Sequence, residues 1–128
     1  MKRGRPMRRI IIVDESPVIC KVAKRILTGF DFTVIETNSL GQARNYCEAE
    51  LPSVLIVDAD LDGALDLIAE VRALDGGKDI RVIYSLVEAD LKRMMAGRRS
   101  GASDFLLKPF DRASLTNVFE PIMQQMAA

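Results

Sequence analysis

Short continuous apolar runs alternate along this chain with apolar positions spaced three and four residues apart. Ile10–Val13 is a β-branched run that predicts a strand buried on both faces. Ser16 suits a helix N-cap and Pro17 a first helical position, and Val18, Ile19, Val22, Ala23, Ile26 and Leu27 give the helix that follows one apolar face, up to Gly29. Phe32–Ile35 predicts a second strand. Asn38 or Ser39 caps a second helix carrying Leu40, Ala43 and Cys47, stopped by Pro52. Val54–Val57 is a third buried strand ending at Asp58. Leu65, Ile68, Ala69 and Leu74 predict a third helix closed by Gly76 and Gly77. Ile80–Tyr84 is a fourth strand, residues 88–100 a fourth helix with Leu91, Met94 and Met95, and Phe105–Leu107 a fifth strand. Asp111 caps a last helix with Leu115, Val118, Phe119, Ile122 and Met126 on one face. Pro121 is expected to kink or restart it, because an interior proline costs about 3 kcal/mol.

Strict alternation of strands and helices predicts an α/β fold, a single doubly wound (βα)5 domain with a five-stranded parallel sheet. In such sheets the functional site lies beyond the carboxyl ends of the strands. The chain has 128 residues, enough for one domain, and 48% hydrophobic with 28% charged residues is a globular composition.

Charge changes this picture locally. The net charge is zero, yet Lys2, Arg3, Arg5, Arg8 and Arg9 fall in the first nine positions. Residues 10–128 therefore hold 13 basic and 18 acidic residues. Residues 1–8 read as a basic arm, either a solvated tail or a contact for nucleic acid or anionic lipid, and residues 9–128 as the domain. The acidic body argues against nucleic acid as the main partner. No apolar run reaches the roughly 20 residues of a membrane span, and Ile10–Val13, although it follows positive charge, is ended at once by Asp14 and does not read as a signal peptide. Cys20 and Cys47 sit on helical, partly apolar patterns and are expected as buried reduced thiols, which suits the cytoplasm. The chain has no histidine, which excludes Ser-His-Asp and Cys-His catalysts and Cys/His zinc sites.

The predicted strand ends carry the chemistry. Asp14 and Glu15 follow the first strand; Asp58, Asp60 and Asp62 end or follow the third; Lys108-Pro109 follows the fifth. Crowded carboxylates raise each other's pKa, and a hard divalent cation relieves the repulsion; oxygen ligands with retained waters favour magnesium. A lysine opposite the acids adds a positive point charge. Together these are the parts needed to hold a phosphoryl group during transfer.

On the segments Ile10–Leu27, Val54–Asp58 and Gly101–Leu115, the sequence resembles the receiver domain of two-component response regulators, with its CheY-like, flavodoxin-like fold. The resemblance implies Asp58 as phosphoacceptor. It implies magnesium bound by Asp14, Glu15, Asp58 and the backbone carbonyl of Asp60. It implies that Lys108 contacts the phosphoryl group, that Lys108-Pro109 is a cis peptide, and that Phe105 is the aromatic switch residue. The implied protein is a cytoplasmic phosphoprotein of signal transduction. It takes its phosphoryl group from a histidine kinase or phosphotransfer protein and signals by protein contact. It is not an enzyme beyond self-phosphorylation and autodephosphorylation. The chain end soon after the last helix is expected to leave no room for a DNA-binding output domain. The switch surface would carry Met94, Met95, Arg98, Arg99 and Phe105, with the methionines either core or partner contact; a phosphorylation-dependent dimer is compatible with it.

Two features depart from the family pattern. Asp62-Gly63 follows Asp58 after only three residues, a shorter loop than the family's, without its proline. Counting back from Lys108, Leu86 stands where the family has Thr or Ser, and Ser85 is one residue away, serving as the switch hydroxyl only if the register slips. These features motivate an alternative, a receiver-like binding module independent of phosphorylation. Asp58-Ala59-Asp60 also resembles the acidic element of Toprim domains, with Glu15 after the first strand, implying magnesium-dependent nucleic-acid chemistry.

Overall fold

In a computed structural model, residues 8–127 are described; the arm assigned to residues 1–8 lies almost wholly outside them. The elements are β1 (Arg9–Val13), α1 (Pro17–Thr28), β2 (Thr33–Thr37), α2 (Leu40–Ala49), β3 (Val54–Asp58), α3 (Ala64–Ala73), β4 (Arg81–Leu86), α4 (Leu91–Ser100), β5 (Asp104–Leu107) and α5 (Arg112–Ala127). All strand pairs are parallel, in the order β2-β1-β3-β4-β5. The predicted doubly wound sheet is therefore the observed one.

The caps follow from the local residues. Ser16 Oγ accepts from Ile19 N, with Pro17 opening α1, and Ser39, rather than Asn38, accepts from Gln42 N to cap α2. Asp111 accepts from Ser114 N at the start of α5. Two expectations are corrected. The fourth helix begins at Leu91, not at residue 88, because Asp90 caps it by accepting from Lys92 N and Arg93 N. Of the two outcomes expected at Pro121, the restart is excluded: α5 is continuous through it, with Leu115, Phe119 and Ile122 buried on either side of the proline. That packing outweighs the local cost of the ring.

Strand alternation divides the core into two layers. Ile10, Ile12, Val54, Ile56, Ile83 and Leu106 face α1 and α5. Ile11, Val13, Leu55, Val57, Val82, Tyr84 and Leu86 face α2, α3 and α4. Full burial of one such side chain stabilises by roughly 1.5–3 kcal/mol, so the strands are held in register by both faces. The alternation has a consequence for the site. Asp14, Asp58, Ser85 and Lys108 continue the α1/α5 rows beyond the apolar residues, at one end of the sheet. Cys20 and Cys47 are free and buried, as expected, and burial pushes both thiols up to about 11. Among the described residues no helix is long and apolar enough to cross a membrane.

Candidate functional site

Three strands deliver three charged side chains to one point. Asp14 follows β1, Asp58 ends β3 and Lys108 follows β5. The side chains of both aspartates are 2% exposed and that of Lys108 is 10% exposed. Lys108 Nζ reaches across β4 to donate to Asp58 Oδ1 at 2.9 Å and to Asp14 Oδ2 at 3.2 Å. The Lys108-Pro109 peptide is cis.

The two carboxylates are not equivalent. Burial pushes Asp14 up, and the neighbouring Asp58 charge adds to this, against the bond from Ser16 N at 2.8 Å and Lys108. Burial pushes Asp58 up as well. Against it stand the Lys108 ammonium and the backbone N–H groups of Asp60 at 2.9 Å and Glu15 at 3.3 Å, and together they hold Asp58 below the usual carboxylate range. Burial alone would lower Lys108, but its bond to Asp58 and the charges of both aspartates keep it above the ordinary lysine value. Asp58 is thus an ionised, oriented carboxylate next to a fixed cation.

The other residues singled out in the sequence divide. Glu15 is exposed and contributes its backbone N–H to Asp58. Asp60 is exposed, and its backbone N–H holds Asp58. Asp62 is exposed at the turn before Gly63, whose φ of +99° opens α3. Ser85 pairs in register with Asp58. Its Oγ is buried without a hydrogen-bond partner, bonded to neither Asp58 nor Lys108. It is the β4 residue at the level where Lys108 crosses toward β3, and a small side chain there leaves room for the crossing. Leu86 is fully buried on the α3/α4 face. Phe105 lies half-buried with the Arg98 guanidinium 5.2 Å from its ring centroid. The methionine pair splits: Met94 packs against the core and Met95 is exposed, as are Arg98 and Arg99.

One residue that the sequence did not single out touches this site. Arg93 of α4 donates through Nη2 to the Ala59 carbonyl at 3.0 Å and to Asp60 Oδ1 at 2.9 Å. Beside it an open groove of about 560 Å³ runs between the β3–α3 loop and α4, over Tyr84. No sequence signal pairs Arg93 with a loop 33 positions earlier.

The donor chemistry fits a hard divalent cation: two buried carboxylates with a third, Glu15, on the adjoining loop. As they stand, no three acidic, histidine or cysteine side chains among the described residues form a ready cation cage. Lys108 is what neutralises Asp14 and Asp58 here.

A model of the response regulator receiver domain matches residues 10–120. The chain belongs to this family. Among curated proteins, the receiver is 29% identical over 114 residues to an uncharacterized 14.6 kDa protein of Leptolyngbya boryana, covering 87% of this chain and 86% of that one. It is 27% identical over 124 residues to the two-component response regulator ORR22 of Oryza sativa, covering 91% of this chain but only 17% of that protein. The receiver thus spans about a sixth of the plant regulators it matches. Among solved structures, a putative response regulator from Chloroflexus aurantiacus superposes with a TM-score of 0.84 at 26% identity, over 93% of this chain and 99% of that one. The receiver domain of a sensor histidine kinase from Pseudomonas aeruginosa, described with magnesium coordinated in its active-site cleft, shares the fold with a TM-score of 0.79 at 23% identity, over 96% of this chain and all of that one. The receiver has the CheY-like, flavodoxin-like architecture, and its family is that of two-component signalling.

Proposed function

We propose that this receiver accepts a phosphoryl group on Asp58 from a phosphohistidine on a histidine kinase or phosphotransfer protein in the cytoplasm, and signals by protein contact. The observation that carries this reading is the Lys108 ammonium fixed between two buried carboxylates, of which Asp58 is the one held ionised.

In the proposed step an Asp58 carboxylate oxygen attacks phosphorus in line. The P–O bond forms as the P–N bond to the donor histidine breaks, and the imidazole leaves with the electron pair and picks up a proton. Lys108 stays protonated and faces the phosphoryl oxygens, exchanging its carboxylate partners for them. The backbone N–H groups of Glu15 and Asp60 hold the carboxylate in its attacking orientation. Asp14, Glu15, Asp58 and the Asp60 carbonyl are the groups that would hold magnesium, which supplies charge neutralisation on the phosphoryl oxygens when bound. Asp14, raised by burial and by Asp58, is the carboxylate that gains most from such a cation. Phe105, Met95, Arg98 and Arg99 form the surface proposed to meet a protein partner.

Leu86 favours a second reading, a module that binds without phosphate: an apolar side chain is buried at the end of β4 where the family has a hydroxyl. The deciding experiment is intact-mass spectrometry after incubation with acetyl phosphate and with a phosphohistidine-bearing phosphotransfer protein, with and without magnesium. The expected result is a magnesium-dependent gain of one phosphoryl group, absent in Asp58→Asn. No gain from either donor would overturn the first reading in favour of the second.

A further inference from the structure

We propose that Arg93 is a positioning residue that couples the Asp58 carboxylate to helix α4 through a single peptide plane. This rests on Asp58 being the reactive carboxylate. It assigns the coupling to Arg93 and one peptide plane rather than to a hydroxyl at the end of β4, where Leu86 stands.

The Asp60 N–H and the Ala59 C=O belong to one peptide unit, which is planar and rotates as a body. Its N–H donates to Asp58 Oδ1 at 2.9 Å. Its C=O accepts from Arg93 Nη2 at 3.0 Å. The same nitrogen donates to Asp60 Oδ1 at 2.9 Å, so the guanidinium holds the plane and the side chain that follows it. The chain of contacts is Asp58 carboxylate, peptide plane, guanidinium, first turn of α4. Each hydrogen bond in such a chain polarises the next.

A change at Asp58 therefore reaches α4 by an identifiable route. An ionised carboxylate accepts a charge-assisted bond from the Asp60 N–H. Esterifying or neutralising that carboxylate removes the assistance and frees the plane to tilt, which alters the acceptor that Arg93 sees. Arg93 is the third residue of α4, and the same helix exposes Leu91 and Met95. Further along, α4 is pinned: a Cβ at Gly97 would lie 2.5 Å from the Tyr84 ring, and Arg72 Nε donates to the Gly101 carbonyl at 2.8 Å. In the first turn, Arg93 is the residue hydrogen-bonded to the β3–α3 loop, beside the Asp90 cap and the core contact of Met94. The polar alternative on β4 is closed, because Leu86 is apolar and Ser85 lies on the opposite face of the sheet from α4. Asp60 stands in the β3–α3 turn, two residues after Asp58 and three before Gly63, whose φ of +99° precedes α3.

The test reads transmission. Backbone amide shifts of residues 91–100 are compared between the wild-type protein and Asp58→Asn, then between Arg93→Ala and Arg93→Ala combined with Asp58→Asn. The expected result is a clear α4 response to Asp58→Asn with Arg93 present. It falls by roughly threefold or more in Arg93→Ala and is partly restored in Arg93→Lys. A response that persists undiminished in Arg93→Ala overturns the coupling role, as does the absence of any α4 response with Arg93 in place. Phosphoryl uptake, read separately by intact mass, decides the proposed function. Failure of uptake leaves the coupling to be judged on the amide shifts alone.

Discussion

Two arginines secure the α3–α4 side of this receiver, and they are built differently. Arg72, on α3, is half-buried and donates to the carbonyls of Gly101, Gly77 and Ile80 and to Ser103 Oγ, at 2.7–2.9 Å. It ties α3 to the start of β4 and to the turn before β5. Arg93, on α4, directs one nitrogen to two acceptors of a single loop, and its ion pair with Asp60 leaves both side chains more than 40% exposed. The residue type is the same, but the partners differ in kind. Arg72 satisfies carbonyls that no strand or helix partner covers, so its loss strands them. Arg93 holds oxygens at the solvent-facing mouth of the site to which water can donate in its place, so its loss is expected to cost little stability and to change only what is connected to what. A guanidinium saturated by buried backbone acts as a structural tie, and one facing solvent at the mouth of a charged site is free to act as a coupling.

The comparison can be broken most directly at Arg72. Replacing Arg72 with Met keeps the aliphatic stem and removes the donors. We expect a loss of about 3 kcal/mol in urea unfolding, from several carbonyls left unpaired. A loss below about 1 kcal/mol would remove the distinction between the two arginines.

The next effect sharpens the charge balance of the site itself. Asp14 has its carboxyl raised in the folded state, so its proton is held more tightly folded than unfolded, and stability falls as pH rises through that value. Asp58 is lowered, so its contribution is present above the ordinary aspartate value and lost as pH falls below it. Asp14→Asn is therefore expected to stabilise the metal-free protein by about 1 kcal/mol at neutral pH, with the gain vanishing at acid pH. Thermal midpoints measured across pH, wild type against variant, check both the sign and the window.

The smallest expected effect is on the stability of Arg93→Ala, under about 1 kcal/mol, since its ion pair is solvent-exposed. Its pairing with the large loss of transmission to α4 is what separates a coupling residue from a structural tie. A large stability loss on its own would place Arg93 with Arg72.

Much of the fold was legible from the chain because parallel strands buried on both faces leave a signal that depends only on nearest neighbours. Ile10–Val13 and Val54–Val57 have no polar position to offer solvent, and Ser16-Pro17 caps and opens a helix whatever surrounds it. Asp14, Asp58 and Lys108 were legible because each immediately ends or follows a short apolar run, and the topology then brings the run ends together. The details the chain left open were those set by competition. Pro121 disfavours a helix locally, and α5 continues because Phe119 and Ile122 are buried beside it. Whether Asn38 or Ser39 caps α2 depended on which side chain could reach Gln42 N.

The sequence by itself determined the order of elements, the doubly wound class and the three strand ends that carry charge, because each is written in local periodicity. Only the tertiary structure decided how that charge is shared. Burial raises Asp14, while the Lys108 ammonium and the backbone N–H groups of Asp60 and Glu15 lower Asp58 against the same burial, although both are aspartates at strand ends. It also decided that Ser85 faces away from α4 while Leu86 faces toward it, and that Arg72 and Arg93 find partners about thirty positions distant. Exposed helix positions carry no periodic constraint beyond avoiding the core, so the partner of a long polar side chain is set by packing in space.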